Sequence, residues 1–355
     1  MARGKKANSK SESKPQPYAP SWIDRFNDWV AQRPGPPWLV YLGIGLLLLV
    51  VQAAALWMEG AYSIGTLPPL SLFFAAVMPF FLAQFHLLDD TADAALMTLR
   101  PILEVSEEEY GELCYRLTML AARPTLLAGL AMLITSILLD IFWANPVDPD
   151  AMATSPISTA LVYLVYKIVW WTFGALAYHA VHQLRWINRI LTVHTRINLF
   201  QMGPLYAFSK LTALTAVGLA IPTYGYFVGG SGALLDPIVL VQFLLILALA
   251  IVVFVWPLLG IHRLLAREKE RLLDEANLRL EAAIVELHRQ MDNGKLEGMT
   301  DLNMAMANLE MERNALKRIS AWPWEPETVR WLVTALVLPL GLWIIQFVLQ
   351  RILGP

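Results

Sequence analysis

Charge is the first thing this sequence has little of. Only 16% of its 355 residues are Asp, Glu, Lys or Arg, against about 25% in a soluble domain. A single cysteine, Cys114, leaves no intramolecular disulfide framework and no Cys-rich metal site. No sign of charge dominates either. The formal net charge is −2, so there is no global basic field to point to nucleic acid. Gly-rich phosphate loops, nucleophile elbows and Cys/His metal spacings are absent, so the chain reads as a non-enzyme with no expected cofactor. The apolar stretches hold almost no carboxylates, which argues against an ion-coupled pump or symporter.

Apolar sequence is abundant: 57% of the residues are hydrophobic and the mean hydropathy is +0.50. Crossing the hydrocarbon takes about 20 apolar residues, and the runs Trp38–Met58, Leu67–Leu88, Thr125–Phe142, Ile157–His179, Phe208–Phe227, Pro237–Leu259 and Trp331–Ile352 qualify. Pro79 and Pro222 fall inside two of them as tolerable kinks. The segments Glu59–Thr66, Ala144–Pro156 and Gly229–Asp236 contain no Lys or Arg. The alternate connections carry Arg100, Arg116 and Arg123, then Arg185, Arg189 and Arg196, then a long charged stretch. Basic residues stay on the cytoplasmic side. The expected fold is therefore an all-α polytopic membrane protein with seven transmembrane helices, its N-terminus cytoplasmic and its C-terminus outside. That orientation is opposite to a G-protein-coupled receptor, and the last run lacks a retinal lysine. The expected location is the cytoplasmic membrane if the chain is prokaryotic, with the bilayer and further copies of the chain as partners.

Five parts follow from this reading. Residues 1–20, with Lys5, Lys6, Lys10 and Lys14, form a basic tail too polar for a signal peptide. Residues 21–34 form an interfacial amphipathic helix, with Trp22, Ile23, Phe26, Trp29 and Val30 on one face and Asp24, Arg25 and Asp28 on the other. A six-span unit covers 35–262, a coiled-coil-like helical hairpin 263–320, and the seventh span 328–355. Two short helices are expected between spans two and three, the second opened by the capping-box pair Ser106 and Glu109. In the hairpin, Leu273, Leu280 and Leu287 with Ala276 and Ala283 between them on one arm, and Met299, Leu302, Met306, Leu309 and Leu316 on the other, form a seam built on spacings of 3 and 4. This seam serves self-packing, assembly of copies, or a cytoplasmic protein partner.

Lys167 sits near the middle of span four, which makes it a functional-site hypothesis, set against a lysine that snorkels to the interface or pairs with Asp140 as structural glue. Its possible partners are Asp140, Gln52, Tyr224 and Gln242. Gln346 and Gln350, in span seven, could line a polar pore or bond between helices. Asp89, Asp90 and Asp93 spell DDxxD with His86 one turn earlier, a face that could hold Mg²⁺ against a diphosphate. The motif resembles that of prenyl-transferring enzymes, but no second copy exists and an acidic helix cap is the plainer reading. His179 and His182 lack a third metal ligand nearby in sequence.

The span number, the N-terminus inside and the long helices before the last span resemble the seven-transmembrane ion-channel superfamily that includes insect odorant and gustatory receptors. Members end in a TYhhhhhQF pattern; here Gln346-Phe347 matches, while Pro339 and Leu340 stand in place of Thr-Tyr. The resemblance implies a tetrameric channel in which span seven lines the pore and Ala266–Ile319 anchors the subunits. The chain also resembles prokaryotic multi-pass membrane proteins of no assigned function. The functional expectation is an oligomeric channel or ligand-gated receptor. The alternative is a non-conducting scaffold that binds a partner through the hairpin, and a lipid-modifying enzyme is a third.

Overall fold

A computed structural model describes residues 17–142, 154–193, 199, 202–229, 237–293 and 299–353, with backbone alone along parts of the fourth-last, third-last and final helices. The described residues are almost wholly helical: α1 Trp22–Ala31, α2 Pro37–Met58, α3 Pro69–Leu99, α4 Glu107–Thr118, α5 Ala122–Phe142, α6 Pro156–Val193, α7 Gly203–Gly229, α8 Pro237–Asp292, α9 Met299–Arg318 and α10 Pro326–Leu353. Six of them (α2, α3 and α5 to α8) contain a stretch long and apolar enough to cross a membrane. The protein is thus an all-helical, multi-pass membrane protein. The seventh apolar run falls on α10, whose side chains are described only in part. Most of the expected basic tail and residues 294–298 of the expected hairpin lie outside the described residues.

Helix α7 is the most enclosed candidate span. It lies against α3, α8 and α10, and Phe208, Leu211, Ala213 and Ala216 on it are fully buried. Together with Phe85, Leu176 and Leu258 they fill the centre of the bundle. Helices α2 and α5 lie at the edge with mostly exposed apolar faces, the arrangement that lipid contact permits. Two close approaches set the packing. A Cβ at Gly174 of α6 would come within 2.6 Å of the Ala128 carbonyl oxygen on α5, and one at Gly129 would meet the Trp171 ring. Small residues let membrane helices touch backbone to backbone. Pro79 cannot donate to the carbonyl four residues earlier, Ala75; that oxygen is covered instead by Gly45 of α2, where a Cβ would lie 3.2 Å away.

Polar caps fasten the ends. The Glu59 carboxylate accepts hydrogen bonds from Ser158 N (2.7 Å) and Ile157 N (2.8 Å) at the start of α6. Those bonds, Ser158 first, hold its carboxyl below the ordinary carboxylate range. The expected two short helices after span two are corrected. Helix α3 runs unbroken to Leu99, with Thr91 and Thr98 hydroxyls donating back to Leu87 and Ala94 carbonyls. Only α4 stands alone, opened by the reciprocal Ser106–Glu109 box. Nothing between Leu88 and Leu99 breaks a helix; Pro101 does, and a single 3-10 turn follows.

Helix α1 also departs from expectation. Its buried face is Ile23, Asp24, Asn27 and Val30, while Trp29 is exposed. Asp24, expected on the polar face, is buried as a clamp: its Oδ2 accepts from Ser21 N (2.8 Å) and Leu120 N (3.0 Å). Ser21 N also donates to Leu120 O and Ala122 N to Ala19 O, and Tyr18 and Tyr115 exchange bonds with Met119 and Tyr18 carbonyls. The segment before α1 is thereby pinned to the α4–α5 junction. Burial, opposed by those hydrogen bonds, pushes the Asp24 carboxyl up to about 6.

Two outcomes follow. Gly174→Leu forces α5 and α6 apart and lowers stability by about 2 kcal/mol or more, read as a fall in the detergent melting temperature. Asp24 holds its proton more tightly folded than unfolded, so its contribution is full below about pH 4 and is lost as pH rises through about 6. Wild type should therefore gain stability between pH 7 and pH 5 relative to Asp24→Asn, which keeps one acceptor oxygen but does not titrate. Melting curves of the two proteins across that range check the sign.

Candidate functional site

Two buried acid–base clusters occupy the bundle, one on each side of its aromatic middle. The first is built by α5 and α6 running antiparallel. Tyr163, Tyr166 and Lys167 share one face of α6 at i, i+3 and i+4, and Ser136 and Asp140 sit one turn apart on α5. Lys167 Nζ pairs with Asp140 Oδ2 and donates to Ser136 Oγ at 3.1 Å. Tyr163 and Tyr166 hydroxyls donate to the same carboxylate at 2.9 and 3.4 Å. Their ring centroids lie 4.8 and 4.7 Å from the ammonium, within cation–π range. Lys167 is only 7% exposed. Of its expected partners, Asp140 is engaged. Gln52 is buried elsewhere on α2 with no partner for its amide among the described residues. The Tyr224 hydroxyl donates to the Leu336 carbonyl of α10. The side chains of Gln242, Gln346 and Gln350 lie outside the described residues.

The second cluster joins α3 to α6 at their basic end. His179 is 1% exposed, stacks on Phe85 at 5.2 Å and meets Asp89 Oδ1 at 3.0 Å through Nε2. Gln183, one turn on, donates to the same oxygen at 3.4 Å. Asp90 turns the other way, to His86 at 3.4 Å. His182 Nε2–H donates to the Arg116 carbonyl at 2.8 Å. The DDxxD face is therefore divided between separate partners, and His179 and His182 diverge. Among the described residues no three His, Cys, Asp or Glu side chains converge as a metal site would require. Between the clusters lie Trp170, Phe173, Phe81 and Phe74, ring against ring. Along α6 the separation of twelve residues from Lys167 to His179 is about 18 Å, too far for direct proton exchange.

A third arrangement joins α8 to the start of α10. The connection through Ala321, Trp322 and Trp324 lies along α8, and four rings stack in order. His262 and Trp322 centroids are 3.8 Å apart, Trp322 and Trp324 4.2 Å, and Trp324 and Phe254 5.7 Å. His262 Nδ1–H donates to the Ala321 carbonyl at 2.9 Å. Lys269 Nζ donates to the Lys317 and Ile319 carbonyls at the end of α9 (2.9 and 2.6 Å), where a cation offsets the helix dipole. Further out, Arg279 approaches Glu312 at 3.8 Å. Helix α9 thus lies along the last part of α8. Leu280 and Leu316 are buried, and Leu273, Leu287, Leu302 and Leu309 are half-buried. Leu278, Val285, Met304 and Met311, on other faces, are exposed.

The sequence pattern did not single out Trp322 and Trp324. The available signal was Trp-Pro-Trp between a charged arm and an apolar run, a rigid aromatic segment where flexible sequence is usual. Compared with known proteins, the chain matches no family model, no curated protein and no solved structure.

The ion pair gives the first cluster a sharp signature. Removing one partner strands a buried charge, so Lys167→Met or Asp140→Leu alone should destabilise by about 3–5 kcal/mol. The double variant, with both charges gone, should recover most of that loss. Melting temperatures of the four proteins in detergent check the cycle; a double variant as poor as the worse single one would contradict it.

Proposed function

We propose that the protein is a seven-span membrane protein with its basic end in the cytoplasm, working as an oligomeric channel or ligand-gated receptor whose cytoplasmic hairpin governs the last helix. The observation that carries this reading is the ring stack His262–Trp322–Trp324–Phe254. Helix α8 has 56 residues, about 84 Å at 1.5 Å per residue, and so reaches from its apolar part far into the charged arm. The Trp-Pro-Trp connection lies on that same helix immediately before α10. A displacement of the arm is therefore delivered to α10 through packed rings rather than through a loose linker. Helix α10 buries Leu332 and Leu336 while leaving Trp331, Val333, Val337, Leu338, Ile345 and Val348 exposed, so it has surface free for the same helix of another copy. One subunit has a filled centre, and conduction would need a pore between copies. The orientation rests on the placement of Arg and Lys, and the resemblance to the insect receptor superfamily points the same way.

The scaffold reading keeps one observation in its favour. Leu278 and Val285 on one arm, and Met304 and Met311 on the other, repeat at seven residues on exposed faces, as a partner helix would require.

Flux in liposomes separates the two. Wild type should carry monovalent ions above the rate of empty vesicles. Trp322→Ala removes two ring contacts of about 1 kcal/mol each, so flux should fall roughly thirtyfold with the helical content unchanged. No flux from wild type in any ionic gradient would overturn the channel reading and favour the scaffold.

A further inference from the structure

The basic end of α6 gathers guanidinium groups around one indole. Trp186 is half-buried and takes two guanidinium groups onto its ring, Arg116 of α4 at 5.1 Å and Arg189 at 5.3 Å. Arg116 is also tied to Glu112 at 2.5 Å. Arg185 and Arg189 are exposed and have no carboxylate partner among the described residues. Arg123, in the first turn of α5, belongs to the same neighbourhood. Gly174 of α6 packs against Ala128 and Met132 of α5, and the helices are antiparallel, so Arg123 lies level with the turn that follows His179. The Arg116 carbonyl held by His182 places the end of α4 at that level too.

Acidic side chains contribute little here: Glu112 is occupied by Arg116, and Asp89 is turned inward to His179. Apolar side chains continue the same helix faces toward the middle of the bundle. Val181 lies one turn before Arg185, and Leu126 and Leu127 one turn after Arg123; all three are exposed. A ligand that fits must therefore present an anion at the end of the helices and hydrocarbon along them. A membrane supplies that combination, and the region just beyond the hydrocarbon is where headgroup phosphates lie.

We propose that Arg185, Arg189 and Arg123, with Trp186 as their backing, form a binding site for the headgroup of an anionic phospholipid whose chains lie along Val181, Leu126 and Leu127. The site does not depend on the channel reading, since a scaffold would carry it equally. Trp186 restricts the Arg189 guanidinium, so less side-chain freedom is lost when a phosphodiester is bound. The repeated Arg placement also serves membrane orientation, but orientation requires no pairing with an indole.

The test offers the full-length protein an equimolar mixture of phosphatidylglycerol and phosphatidylcholine in nanodiscs, then counts retained lipid by native mass spectrometry. Wild type should retain phosphatidylglycerol preferentially. Each guanidinium removed should cost about fivefold in that preference, so Arg185→Gln/Arg189→Gln should abolish it. Arg185→Lys/Arg189→Lys should keep part of it, and Arg279→Gln, on the arm beyond the bundle, should keep all of it. Equal retention of the two lipids by wild type would overturn the proposal. So would an undiminished preference in the Gln double variant, or displacement of the lipid by millimolar inorganic phosphate, which would make the site one for the free anion.

Discussion

Hydrocarbon supplies no hydrogen bonds, so a polar group carried into the apolar part of the bundle is costly unless it is answered from within the protein. Much of this structure follows from how that demand is met. Lys167 enters α6 among Tyr and Trp residues, and α5 brings Asp140 and Ser136 to it. His179 is buried against Phe85, and α3 brings Asp89. Gln84 reaches across to the Leu214 carbonyl at 2.9 Å. Each solution joins two helices that are distant in sequence. The polar groups therefore specify which helices are neighbours, while the apolar side chains fill the space between them.

The same logic explains why the two acid–base clusters read as fasteners. The first has its carboxylate and ammonium satisfied several times over by Ser136, Tyr163 and Tyr166. A ring-lined stretch of α6 separates it from the second. Motion, on this account, belongs elsewhere. It belongs to α8, which is shared between the bundle and the arm, and to α10, which holds to the rest through Tyr224, two buried leucines and the tryptophan stack. A helix joined at its start to a long lever is well placed to be displaced with it.

The apolar runs and the alternation of basic segments were legible because both are periodic along the chain and need no partner to be seen. The Lys167–Asp140 pair was legible in part, since a mid-span lysine demands an acid and few acids were on offer. Asp24 was not: on a helical wheel it belongs to the polar face, and only contact with Leu120, 96 residues away, gives it a buried role. The pairing of Asp89 with His179 was hidden for the same reason, because the DDxxD spacing suggests one shared face while the neighbouring helix divides it. Continuity of α3 past Leu88 was missed where composition turned polar without any residue that stops a helix. Trp322 and Trp324 gave no periodic signal, and their stacking order depends on α8 lying beneath them.

The most direct test of the central claim, that conduction or signalling needs several copies meeting at α10, is the subunit number of the intact chain in lipid nanodiscs by mass photometry. The account predicts a closed multimer, four copies if the family resemblance carries over. A population that is entirely monomeric would contradict it, because the filled centre of one subunit leaves α10 with no pore to line.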